Sequence, residues 1–172
     1  MADKFKTLVH YICHKMSDNP SRLSATKLNK ILWYSDVTLY KKRGQAITDS
    51  KYIKQPHGPV SRSLKPVLND LHRDAIVVQQ KKLWHKGYQT MFFSTQEPNL
   101  GCFTAEEIST VDNFIDEICY KHTATSISKM SHDLVWELHE LGEEMPLRHT
   151  HVMQLGEITS DDIEWALEDN GD

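Results

Sequence analysis

Apolar residues at helical spacing open the chain. Phe5, Leu8, Val9, Ile12, Cys13 and Met16 recur every three or four positions, which predicts a first helix over residues 3–17. The run SDNPSR at 17–22 breaks it. Ser24 then supplies an N-cap for a long second helix that runs to about Arg43, with Gly44 at the usual C-terminal stop. Around that helix Leu28, Ile31, Leu32 and Leu39 form one apolar stripe, and Trp33, Val37 and Tyr40 form another on the far side. A helix apolar on two faces is either the central post of its domain or has one face waiting for a partner. The stretch QAITDSKYIKQPHGP reads as short and extended, with turn residues at both ends. A third helix is predicted over about 60–73, with Val60, Leu64, Val67, Leu68 and Leu71 inward and a bend near Pro66. Residues 75–84 and 88–95 alternate as two strands of a hairpin turned at His85-Lys86-Gly87.

Thr104 with Glu107 forms a capping box that opens a fourth helix, lined by Ile108, Val111, Phe114, Ile115 and Ile118. A further helix over about 125–140 is predicted to carry Ile127, Met130, Leu134, Trp136, Leu138 and Leu141. After a loop from Met145 to Gly156, Ser160 caps a last short acidic helix with Ile163, Trp165 and Leu167. The pattern as a whole predicts an α+β fold, mostly helical with a small antiparallel hairpin, in one domain.

Composition changes this picture little. The chain of 172 residues is 39% apolar and 26% charged, ordinary for a folded domain. Its N-terminal stretch lacks the apolar core of a signal peptide, and no window approaches the length of a membrane span. A cytoplasmic protein without a membrane partner is therefore expected. Cys13, Cys102 and Cys119 make neither a disulfide framework nor a zinc finger. Charge is more telling. Residues 1–90 carry 17 Lys and Arg against 6 Asp and Glu, a net of +11, whereas residues 91–172 carry 3 against 18, a net of −15. Such asymmetry points either to a charged partner or to two halves that neutralise each other.

Motifs for enzymatic chemistry are missing from the sequence. It contains no GxxxxGK[ST] loop, no GxGxxG after a strand and no GxSxG elbow. The ten histidines raise the question of a metal. His10, Cys13 and His14 share a side of the first helix, and His132 and His139 share a face further on. In HELGE, at 139–143, a glutamate stands where a zinc-protease helix needs its second histidine. His149 and His151 fall in the predicted loop. No cluster offers three ligands at a metal-site spacing, so no metal and no cofactor are expected, and no catalytic residue is nominated. His57, in Pro56-His57-Gly58-Pro59, is the sharpest candidate for an acid or base. It lacks a neighbouring nucleophile or orienting carboxylate, and the tetrapeptide reads better as structure. Pro56 biases Gln55 toward extended backbone, Gly58 permits positive φ and Pro59 sets φ for a first helical turn.

A nucleic-acid reading stands beside this one. Helices two and three followed by the hairpin are in the order of a winged helix-turn-helix. The third helix would present Ser61, Arg62, Ser63 and Lys65, and the hairpin would present Lys81, Lys82, His85 and Lys86, to phosphates.

Several motifs in fixed order carry a resemblance. They are Lys27, Leu28 and Lys30, then Tyr34 and Asp36, then Gly44, Ile47, Thr48 and Tyr52, then His57, Gly58 and Pro59. Farther along come Ser131, His132, Trp136 and Pro146. In these the chain resembles the SocA-like antitoxin domain, or Panacea, over most of residues 5–147. That domain is placed at 1–150; the resemblance carries nothing onto 151–172, which read as an acidic C-terminal extension holding a short helix. The resemblance implies an antitoxin and not an enzyme, one that neutralises the cognate toxin encoded nearby by direct binding. A protease or DNA is a secondary partner, and oligomeric state is open. Candidate partner-binding residues are Trp33, Tyr34, Val37, Tyr40, Tyr52 and His57. Arg62, Lys65, Lys81, Lys82 and Lys86 belong to the alternative of a winged-helix DNA-binding regulator.

Overall fold

The second helix is the post around which the other elements are arranged. The computed structural model describes residues 3–85 and 87–154, with only the backbone of 152–154. The acidic helix expected at Ser160, and Lys86, lie outside the described residues. Helix α2 spans Ala25–Arg43, and eleven of its side chains are buried, including Leu28, Ile31, Leu32, Trp33, Val37 and Leu39. Both of its predicted apolar stripes therefore face protein. Its ends are held as the sequence requires. The Ser24 hydroxyl accepts from Lys27 N–H at 3.2 Å, and Gly44, at φ +75°, donates to the Tyr40 carbonyl at 2.8 Å.

Helix α1 (Lys4–Lys15), capped by Asp3, packs on α3 (Leu64–Arg73) and on strand β4 (Gly87–Ser94). Helix α4 (Ala105–Lys121) lies along α2, and its Thr104–Glu107 capping box forms in full. Strand β3 (Val77–Trp84) pairs with β4, and Gly87, expected in the turn, instead pairs with Trp84. Helical elements thus dominate, with two small antiparallel sheets of two strands each.

Three predicted elements come out differently. The extended stretch before α3 is a complete hairpin, β1 (Tyr52–Gln55) and β2 (Gly58–Ser61), joined by a two-residue Pro56-His57 turn. Its strands are too short to show alternation clearly, and Pro-His is not among the usual hairpin turns. Pro59 therefore lies in an edge strand and does not open a helix, and Ser61 is buried there instead of facing a ligand. Helix α3 starts at Leu64, which puts Pro66 in its first turn, where a missing N–H breaks no helical bond and no bend is needed. The helix expected over 125–140 is two short ones, α5 (Ala124–Met130) and α6 (Leu134–Glu137). Asp133 restarts the helix by accepting from Trp136 N–H at 3.0 Å.

The oppositely charged halves do meet. Glu107, at the buried start of α4, accepts from Lys4 at 2.8 Å and Arg43 at 2.7 Å; Lys42 reaches Glu106, and Lys15 lies 3.7 Å from Asp112. Burial works against the charge on Glu107, but Lys4, the Thr104 N–H and Arg43 outweigh it and hold its carboxyl below the ordinary range. Part of the charge asymmetry is thus internal pairing.

Candidate functional site

Several of the motif residues quoted above meet at the β1–β2 hairpin, whereas Lys27 bonds the Cys119 carbonyl and Tyr34 stacks on Phe114, both on α4. From α2, Asp36 accepts the Thr48 N–H at 2.9 Å, the Thr48 hydroxyl at 2.6 Å and the Tyr52 hydroxyl at 2.8 Å. One helical turn earlier, the edge of Trp33 meets the Tyr52 ring, with centroids 5.0 Å apart. Lys30, wholly buried, donates to the Pro59 carbonyl at 2.9 Å, and Asn29 accepts the Ser61 N–H at 3.0 Å. Three polar side chains and the Trp33 ring of one helix thereby hold the hairpin, as one side of a clamp.

The other side is closed by α5, α6 and the turn after them. Gly58, at φ +101°, sits against Ser131 Oγ and the Lys30 ammonium so closely that a Cβ there would overlap both. Trp136 Nε1 donates to the Gln55 carbonyl at 3.0 Å, and the Trp136 ring stacks on His132 at 3.9 Å. Lys54 lies 3.8 Å over the same ring and donates to the His139 carbonyl at 2.7 Å. The free edge of β1 is covered too: Gly142 N–H donates to the Lys54 carbonyl, Lys54 N–H to Glu143, and Met145 N–H to Tyr52.

Burial shapes the charges here. It pushes the Asp36 carboxyl up to about 6 despite its three donors. It also pushes the Lys30 ammonium down to about 7, with Asp133 pulling weakly the other way.

The candidates for partner binding fall in different surroundings. Trp33, Val37 and Tyr52 are core residues and present no surface to a partner. Tyr34 is half-buried and stacks on Phe114, and Tyr40 is half-buried against the His151 ring. His57 is exposed at the tip of the hairpin turn. Arg62, Lys65, Lys81 and Lys82 are all exposed, though Arg62 precedes α3 instead of lying in it.

The histidine pairs do not gather into sites. His10 bonds Ser94 and the Gln96 carbonyl, and His132 stacks where His139 does not reach. His139 instead meets the Val135 carbonyl at 2.7 Å and His149 at 3.0 Å. Among the described residues no group of three His, Cys, Asp or Glu side chains is placed to hold a metal ion. Sequence reasoning missed Lys54 and Asn29 altogether. Lys54 had a usable signal, since it shares the inward face of β1 with Tyr52 at period two.

An exposed turn residue should matter little to folding. His57→Ala is expected to leave the melting temperature within about 2 °C of the wild type, as surface substitutions outside special features do. A larger drop in a thermal melt would mean that the imidazole holds the turn.

Two surfaces remain unexplained by the clamp. A groove of about 760 Å³ runs between the β3–β4 hairpin and the start of α2, lined by Arg22, Trp84, Tyr88, Tyr120 and His122 among others. The second is a set of exposed apolar side chains from the end of α5 to the turn after α6: Met130, Leu134, Leu138 and Leu141. No helix among the described residues is long and apolar enough to cross a membrane.

A family model described as antitoxin SocA-like, Panacea domain, matches residues 28–137. No curated protein and no solved structure matches the chain. The matched span runs from the first turn of α2 to the end of α6 and so contains the β1–β2 hairpin and the helices on both sides of it, though not the turn at 139–145, and it covers well over half of the 172 residues. The chain belongs to the SocA-like antitoxin family, the Panacea domain family.

Proposed function

We propose that the chain is the antitoxin of a toxin–antitoxin pair and neutralises its cognate toxin, in the cytoplasm, by direct protein–protein binding and without catalysis. One observation carries this reading beyond the family name. The motif residues Lys30, Asp36, Tyr52, Gly58 and Pro59 are buried and satisfied by one another or by backbone. Groups used in that way cannot reach a substrate, so the motif builds a scaffold and function falls to what the scaffold displays. A rigid scaffold with exposed apolar side chains suits binding of another protein.

The open reading frame beside this gene, expressed alone, is expected to arrest growth; co-expression with this chain should restore growth and yield a complex that survives gel filtration. A harmless neighbour that forms no complex would count against an antitoxin. The exposed Lys81 and Lys82 favour the second reading, DNA binding. Rescue that persists after Lys81→Glu and Lys82→Glu would separate neutralisation from any DNA contact.

A further inference from the structure

The exposed apolar row from Met130 to Leu141, spanning α5, α6 and the turn after them, is one of the two features that the fold leaves unaccounted for. Periodicity places Leu134, Leu138 and Leu141 at i, i+4 and i+7, a spacing that ordinarily faces a core. Here the buried apolar residues of α5 and α6 are Ile127 and Val135, while Met130, Leu134, Leu138 and Leu141 are 54%, 50%, 59% and 65% exposed. Leu138 N–H still bonds the Leu134 carbonyl at 3.0 Å, so these two leucines stack on one helical face. The backbone beneath them is fixed by the Trp136–Gln55 hydrogen bond, by Lys54 on the His139 carbonyl, and by the Gly142 and Glu143 pairing to β1. Such apolar groups are presented with little conformational freedom left to lose on association.

The charge around the row chooses among occupants. Of the acids between residues 129 and 144, Asp133 is used in capping α6 and Glu144 lies 3.7 Å from Lys51, and Lys54 is buried under Trp136. That leaves Glu137, Glu140 and Glu143 as the charges displayed beside the row, against Lys129. Glu137, Glu140 and Glu143 are exposed among the leucines. A second copy docking through the same face would set these acids against themselves. Residues 155–172 hold seven acids and no Lys or Arg, so they too meet like charge there. What fits is a surface with an apolar groove rimmed by Lys and Arg, receiving the row as a helix face is received in helix-in-groove recognition.

We propose that Met130, Leu134, Leu138 and Leu141 form the toxin-docking ridge, and that the toxin's complementary face is an apolar groove with a basic rim. This rests on the antitoxin reading above. It is tested with the full chain and the product of the adjacent open reading frame. The pair Leu134→Lys and Leu138→Lys places positive charge on the ridge. It is expected to weaken binding at least about 100-fold and to abolish growth rescue, with the melting temperature unchanged because both side chains already face solvent. Glu137→Lys with Glu140→Lys should weaken binding about tenfold at low salt, less at high salt. Leu83→Lys with Tyr88→Lys, at the other exposed apolar site, should leave binding as it is. If the lysine pair lowers stability, Leu138→Gln with Leu141→Gln replaces it, and the same loss of binding is expected.

Undiminished binding by ridge variants alongside a wild type that neutralises would overturn the ridge and leave the antitoxin reading standing. A wild type that neither binds nor rescues would remove that reading, and the ridge with it. A dimeric wild type made monomeric by the lysine pair, with rescue intact, would assign the face to a second copy and also overturn the proposal.

Discussion

Gly58→Val is expected to be the most damaging single substitution in the chain, lowering the melting temperature by more than about 10 °C or preventing folding. Two independent costs add. At φ +101° a β-branched residue is strained, by about 1–3 kcal/mol. The Cβ would also fall inside contact distance of Ser131 Oγ, 2.5 Å from Lys30 Nζ and 2.9 Å from Lys30 Cε. Neither neighbour can retreat freely. Ser131 is buried and donates to the Ser128 carbonyl at 2.8 Å, and Lys30 would have to leave the Pro59 carbonyl, stranding a buried ammonium. Overpacking of that kind costs about 1–3 kcal/mol more, and each kcal/mol is worth about 2–4 °C at this chain length. Gly44→Ala is the control that separates the two costs. Gly44 also has positive φ, +75°, but no atom lies within 4 Å of its Cβ position. Its loss should be near 1 kcal/mol, and Gly58→Ala should exceed it clearly in the same thermal melt. Equal losses would mean that the glycine serves only the turn's dihedral. A Gly58→Val protein that melts with the wild type would remove the clamp from the account of this fold.

The reasons Gly58 is needed were only half legible beforehand. A glycine between two prolines announces a special dihedral, and the sequence reading gave it one. That Ser131, more than seventy residues away, closes on the same atom is a tertiary fact with no local signature. The same division holds elsewhere. Helix α2, its caps and its two apolar faces follow from spacing, because a long amphipathic run averages over many residues. The β1–β2 hairpin does not, because its four-residue strands leave too few positions to separate alternation from chance. Trp33, Val37 and Tyr52 carry apolar or aromatic side chains whether they face core or partner, so sequence alone left both roles open. The leucine row shows the opposite limit: a core-like spacing at 134, 138 and 141 runs past the end of α6 at Glu137, and its apolar side chains stayed outside. For these leucines periodicity alone gives the wrong side.

Asp36→Ala is expected to cost about 3 kcal/mol near pH 5 and less near pH 8, because the wild type itself weakens as its buried carboxyl ionises. Removing the side chain leaves the Thr48 N–H, the Thr48 hydroxyl and the Tyr52 hydroxyl without their acceptor, each a loss of about 1–3 kcal/mol that partial relaxation reduces. The pH term works against the wild type. Burial raises the Asp36 carboxyl from its ordinary 3.8 to about 6, so between those values the folded chain holds a proton that the unfolded chain releases. The stability this provides is fully present below pH 3.8 and is lost as pH rises through about 6, an effect of roughly 3 kcal/mol at most. Lys30 has the opposite sign. Its ammonium is depressed from 10.5 to about 7, so the folded chain binds fewer protons in that window and stability recovers as pH rises across it. Taken together the two groups give a minimum in stability between about pH 6 and 7, set inside one clamp. Urea midpoints measured from pH 4 to pH 9 should therefore trace a trough in the wild type. Asp36→Asn, which keeps the shape and removes the titration, should flatten only the acid side of it. Lys30→Met should flatten only the basic side. A wild-type curve with no trough, or an Asp36→Asn curve with the acid limb unchanged, would mean that Asp36 does not titrate in the folded chain as its surroundings dictate. A flat acid limb in Asp36→Asn would instead tie the carboxylate's three donors, and the hairpin they hold, to the pH range in which the antitoxin fold is most easily undone.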